Sequence, residues 1–168
     1  MSYFLFKAEL LASLVPPHQS KTKQARVIAD AYTDLVLRHF EVMTGGGRAI
    51  LAPTRTSVLR NGLQSVFDAN RKYGARPVNV FTQMAPAFYS YWNGQTVVGP
   101  LGYATVTFPG IFKGPTIPGN LNYAAWLNIF CAVLAAHIMT LGGTYRNLFL
   151  KRDFEWSGSM FLACPIKS

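Results

Sequence analysis

Three histidines, two cysteines and seven acidic residues supply most of the groups that could act as acids, bases, nucleophiles or metal ligands near neutral pH. A catalytic centre needs such groups within hydrogen-bond reach of one another. His18 stands beside the Pro16-Pro17 break, His39 falls late in a helix-like segment, and His137 lies in a long uncharged stretch. Cys131 and His137 share that stretch, but at about 100° per residue they project about 120° apart, so they do not form a thiolate–imidazole pair by themselves. His137 is therefore expected to be a hydrogen-bonded structural group. Asp30 and Asp34 are four positions apart beside Arg26 and Arg38, the spacing of helix-surface ion pairs, and no histidine or third acid joins them to hold a metal. Gly45-Gly46-Gly47-Arg48 lacks the Lys-Ser/Thr ending of a phosphate loop and closes a helix where such a loop would open one. Cys131 and Cys164 make neither a disulfide framework nor a zinc spacing. The sequence thus assigns no catalytic, metal-binding or cofactor-binding residue, and no enzymatic activity is expected.

The elements that carry these residues follow a recurring order of helix, glycine stop and short extended run. Residues 2–15 read as a short helix ended by Pro16-Pro17. From Ser20, Val27, Ile28, Ala31, Tyr32, Leu35, Phe40 and Val42 recur at helical spacing, and Gly45-Gly46-Gly47 is the expected stop. After the apolar run 49–52, the spacing of Val58, Leu59, Leu63, Val66 and Phe67 predicts a second amphipathic helix closed by Gly74. A short apolar piece at 78–81, a helix over 82–92 and an extended run at 95–98 come next. The interval 99–119 holds Pro100, Pro109, Pro115 and Pro118 around the alternating segment Tyr103 to Phe108. The alternation predicts a strand, and the flanking prolines predict an edge position or an extended arm. The last large helix starts at Asn120 as N-cap and stops at Gly142-Gly143, and 148–150 and 159–164 read as one or two short strands. The expectation is one domain over 1–168, of helix-rich α+β class, with four to five helices, a minor antiparallel β component and a Pro/Gly-rich arm at 99–119.

Composition bears on how such a domain is used. Half of the 168 residues are hydrophobic and only 14% are charged, against roughly 25% in an ordinary soluble domain. So few charges imply that part of the apolar surface is covered by partners or lipid. The 16 Lys and Arg outnumber the 7 Asp and Glu, for a net charge of +9, and no acid occurs between Asp68 and Asp153. This imbalance points to an anionic partner: nucleic acid held by sequence-independent backbone contacts, anionic lipid or an acidic neighbouring subunit. Arg48, Arg55 and Arg60, close together with no acid among them, are the candidates for that contact. The N-terminus has no basic segment before its apolar stretch and carries Lys7 and Glu9 within it, which makes a poor signal peptide.

Residues 121–141 form a run of about 21 without a formal charge, the length that crosses a bilayer. Their angular distribution argues for packing against protein. Tyr123, Leu127, Phe130, Cys131, Leu134, Ile138 and Leu141 share one face, while Ala125, Asn128, Ala132, Ala135, Ala136 and Met139 lie opposite. A lipid-facing helix would carry large apolar groups all round, whereas small residues let another backbone approach. The expectation is a helix packed on two sides, and membrane contact is not expected.

The succession of amphipathic helix, glycine stops, the pattern MAPAFYSYWNGQTVV over 84–98, the Pro/Gly-rich arm and an Ala-rich last helix ending HIMTLGGTYRN resembles small structural proteins of tailed-bacteriophage virions. The resemblance implies a neck, connector or tail subunit, made in the host cytoplasm and incorporated into the virion. It would act through contacts with copies of itself in a ring and with neighbouring structural proteins. On that reading Tyr103, Phe108 and Phe112 of the arm and Ala125, Ala132 and Ala136 of the last helix make the subunit contacts. The alternative is a small accessory subunit of a membrane complex with a span at 121–141.

Overall fold

The computed structural model describes residues 8–12, 21–39, 41–44, 47–51, 55–69, 79–99, 102–118 and 121–157. Helical residues 8–12 (α1) are followed by helices α2 (Lys21–His39), α3 (Thr56–Ala69), α4 (Val80–Trp92) and α5 (Tyr123–Met139). Six strands, β1 (Glu41–Thr44), β2 (Gly47–Leu51), β3 (Thr96–Gly99), β4 (Gly102–Phe108), β5 (Gly142–Asn147) and β6 (Arg152–Ser157), form one antiparallel sheet in chain order. The helix-rich α+β class is the one expected from the sequence. The sheet consists of three hairpins in series, each entered from a helix: α2 leads into β1–β2, α4 into β3–β4, and α5 into β5–β6. Cα atoms of β1 and β6 come within 8 Å of each other, so the sheet curls.

The core is aromatic where the helices meet. The Tyr32 ring of α2 stands edge-on to Phe88, Tyr91 and Trp92 of α4 at 5.4, 5.4 and 6.2 Å between centroids. Its hydroxyl accepts a 2.8 Å hydrogen bond from Trp92 Nε1, so the one polar atom of a fully buried ring is satisfied. The Thr33 hydroxyl lies 3.2 Å from the Tyr91 hydroxyl and 2.9 Å from that of Thr56, which ties α2 to both α4 and α3. Phe81 of α4 lies 6.2 Å from both Trp126 and Phe130 of α5, whose rings are 5.0 Å from each other, all three close to parallel. Helices α3 and α4 cross closely because Gly62 has no side chain: a Cβ there would stand 2.6 Å from the Ala87 Cβ. On the sheet, Ala104, Val106, Tyr145 and Trp156 are buried, while Tyr103, Thr107, Thr144 and Glu155 face away from the core.

Several boundaries differ from the sequence reading. The second expected helix ends at His39, and 41–44 leaves it as a strand paired with β2. Glu41, Val42 and Met43 thus follow pairing with the next segment rather than the helical spacing that reached them. The apolar piece at 78–81 contributes Val80 and Phe81 to the first turn of α4. The N-cap of α5 is Asn122, whose Oδ1 accepts from the Ala125 N–H at 2.8 Å, and not Asn120. Gly142 and Gly143 start β5 rather than only ending the helix. Gly143 suits that place because a Cβ would fall 1.9 Å from the Thr105 carbonyl oxygen. Residues 148–150 are a turn and not a strand. Gly74 and residues 159–164 lie outside the described residues.

Candidate interaction surface

The segment expected to be an arm divides in two. Its strand, β4, is paired on both sides, with β3 and β5, so it is interior and not an edge. Pro109, one of the prolines that suggested an edge, follows the strand and interrupts no pairing. Residues 109–117 then run as a strap over α4 and α5. The Pro109 carbonyl accepts from His137 Nε2 at 2.9 Å, the Ile111 N–H donates to Thr140 Oγ1 at 2.7 Å, and the Phe112 N–H donates to the Tyr89 hydroxyl at 3.0 Å. Gly110, at φ +89°, makes the turn; a side chain there would be strained and would meet Thr140 Oγ1 at 2.7 Å. Phe112, only 5% exposed, stacks on Phe88 at 4.7 Å with the rings 8° from parallel. Phe112 is therefore a core residue of its own chain, and its assignment as a subunit contact is corrected. Tyr103 and Phe108 are both exposed.

His137 sits under this strap among Phe88, Tyr89 and Phe112. Because a carbonyl only accepts, Nε2 carries the proton and Nδ1 is the bare nitrogen, which has no hydrogen-bond partner. Burial pushes the imidazole down to about 4, against a weaker opposing effect of the Pro109 carbonyl. A neutral ring enclosed by aromatic groups fits the structural role expected for it. Among the described residues no group of three or more His, Cys, Asp or Glu could hold a metal ion.

Two of the three arginines expected to meet an anionic partner make contacts within the chain. Arg55 Nη1 donates to the Ser90 carbonyl at 3.0 Å and also to the Asn93 carbonyl, so it caps the C-terminal end of α4. Arg60 pairs with Asp30 at 3.0 Å, joining α3 to α2. Both contacts lie within the chain and leave the two arginines partly exposed, and Asp30 reaches across to another helix. Arg48 belongs to β2, where its register partner is Met43.

On α5 the large face is buried, from Trp126 and Leu127 through Phe130, Cys131 and Leu134 to Ile138. The opposite face is more covered than expected. Ala136 and Asn128 are exposed, Ala125 and Ala132 are half-buried, and Ala135 is buried in the chain itself. The helix is 17 residues long, about 25 Å at 1.5 Å per residue and short of the roughly 30 Å hydrocarbon layer. Among the described residues no helix is long and apolar enough to cross a membrane.

One uncovered feature lies on the sheet. Facing away from the core, Thr96, Thr105, Thr144 and Glu155 form one cross-strand row, and Val98, Tyr103, Arg146 and Asp153 form the next. Tyr103, Thr105, Thr107, Thr144, Arg146 and Asp153 line an open recess of about 480 Å³. Arg146 and Asp153 form an ion pair at 3.3 Å across it. Beyond that pair the β5–β6 hairpin ends in Leu148, Phe149 and Leu150, which are 58%, 81% and 46% exposed. The tip is held by the buried Asn147, whose Oδ1 accepts from the Leu150 N–H at 2.8 Å, and by Lys151 at φ +53°. The sequence reading of 148–150 as a short strand does not hold, because an apolar run alone does not separate a strand from a turn. The signal that could have found the turn is an Asn before them and two cations, Lys151 and Arg152, after them.

No family model, curated protein or solved structure matches the chain.

Proposed function

We propose that this chain is a non-enzymatic structural subunit that works by contact with copies of itself and with neighbouring proteins, as a neck, connector or tail component of a tailed-phage-like virion would. The observation that carries the reading is the hairpin tip. Three consecutive large apolar side chains held outward by a hydrogen-bonded turn add nothing to the core of an isolated domain. Exposed apolar surface of this kind acquires a purpose when another protein covers it. The low charge content supports the same reading, as do Val98, Tyr103 and Phe108, exposed on β3 and β4. The virion class itself rests on the resemblance of the sequence pattern. Negative-stain electron microscopy of the purified chain in detergent-free buffer tests the proposal: closed rings are expected, and a uniform field of isolated 18.6 kDa particles would overturn it.

A further inference from the structure

We infer that the Leu148–Lys151 tip of one copy docks into the recess lined by Tyr103, Thr105, Thr107, Thr144, Arg146 and Asp153 on a second copy. The inference rests on the structural-subunit reading and names the contact that would build the assembly. The tip is convex and apolar, with Lys151 and Arg152 directly behind it, both exposed. The recess is of matching character: threonine methyl groups and the Tyr103 ring form its walls, and the Asp153 carboxylate stands open at its edge, 60% exposed despite its pair with Arg146. A volume of about 480 Å³ lies in the range that accepts a buried aromatic side chain with a neighbour. Phe149, the most exposed large apolar residue described, is the anchor. Lys151 or Arg152 then meets Asp153 at the rim, where water screens the pair and it contributes register more than strength.

Tip and recess are different parts of the surface. If each copy's tip fills the recess of the next copy, the contact is heterologous and propagates until the rotation closes a ring or extends a filament. If two copies exchange tips, each filling the other's recess, the same contact closes an isologous two-fold dimer.

Sedimentation velocity on the wild-type chain, Phe149→Asp and Thr144→Tyr tests the inference. Both substituted positions are exposed, so folding is preserved, which circular dichroism checks. The first variant charges the anchor and the second fills the recess; each is expected to weaken association at least about tenfold. Mixed together, the two restore one competent contact, the Phe149 of one variant against the open recess of the other. A one-to-one pair that grows no further is the expected product. Wild-type oligomers that survive either substitution overturn the docking and leave the structural-subunit reading standing. A wild-type chain that stays monomeric overturns both. Binding of that monomer to vesicles of three parts phosphatidylcholine to one part phosphatidylglycerol, lost in Phe149→Asp, would assign the tip to a lipid surface instead.

Discussion

Replacing Phe112 by alanine separates a strap that belongs to the fold from an arm that belongs to a neighbour. The ring is 5% exposed, stacks on Phe88 at 4.7 Å and meets His137 edge-on at 5.3 Å. Truncating a buried phenylalanine costs about 3–5 kcal/mol through lost transfer energy and the cavity left behind. The backbone bond from Phe112 N–H to the Tyr89 hydroxyl survives the change, which places the expected loss near the lower end, about 3 kcal/mol. At a urea dependence of about 2 kcal/mol per molar, the unfolding midpoint should fall by about 1.5 M. Phe108→Ala supplies the contrast, since its ring is exposed and its loss should cost less than about 1 kcal/mol. Both variants are followed by tryptophan fluorescence in urea at one protein concentration. If Phe112→Ala unfolds within about 0.5 kcal/mol of the wild type while its oligomers dissociate, the ring reaches another chain and the strap reasoning fails.

Gly62→Ala should lower stability by about 1–2 kcal/mol, because the new methyl meets Ala87 at 2.6 Å across the α3–α4 crossing and overpacking outweighs the helix-propensity gain. A raised melting temperature would refute that. Gln95 is 2% exposed, and its side-chain nitrogen and oxygen lack hydrogen-bond partners. Gln95→Met should therefore stabilise the fold by about 1 kcal/mol in chemical unfolding, and a loss of that size would show that the amide is bonded in solution. His137 takes up a proton below pH 6.5 when unfolded but only near 4 when folded, so the unfolded state binds more protons between those values. Stability should thus be fully present above pH 6.5 and fall by about 3 kcal/mol on acidification to pH 4. The difference between wild type and His137→Gln across that window isolates the effect, and parallel pH profiles would contradict it.

Helical periodicity made most of the fold legible. The stripe through Ile28, Tyr32 and Leu35 and the face from Leu127 to Ile138 are buried as their spacing indicates. Strand pairing was the harder part, because it depends on partners distant in sequence. Gly45-Gly46 between 41–44 and 47–50 is a two-residue hairpin signal that reads equally as a helix stop, and only the register on both sides makes β4 an interior strand. Residues that looked available for partners were absorbed in the same way. Arg55 is drawn to the carbonyls at the end of α4, Arg60 to Asp30, and Phe112 to Phe88, each contact bridging segments at least 24 residues apart. The exposed tip at Leu148–Leu150 was hidden for the opposite reason, since apolar composition alone does not distinguish a buried strand from a turn that presents its side chains outward.

Native mass spectrometry of the purified chain from detergent-free buffer tests the central claim most directly. Masses at several-fold multiples of 18.6 kDa, persisting as the protein is diluted through the micromolar range, are what a subunit built to be covered by its neighbours should give. A single species at the monomer mass over the whole series would contradict the account.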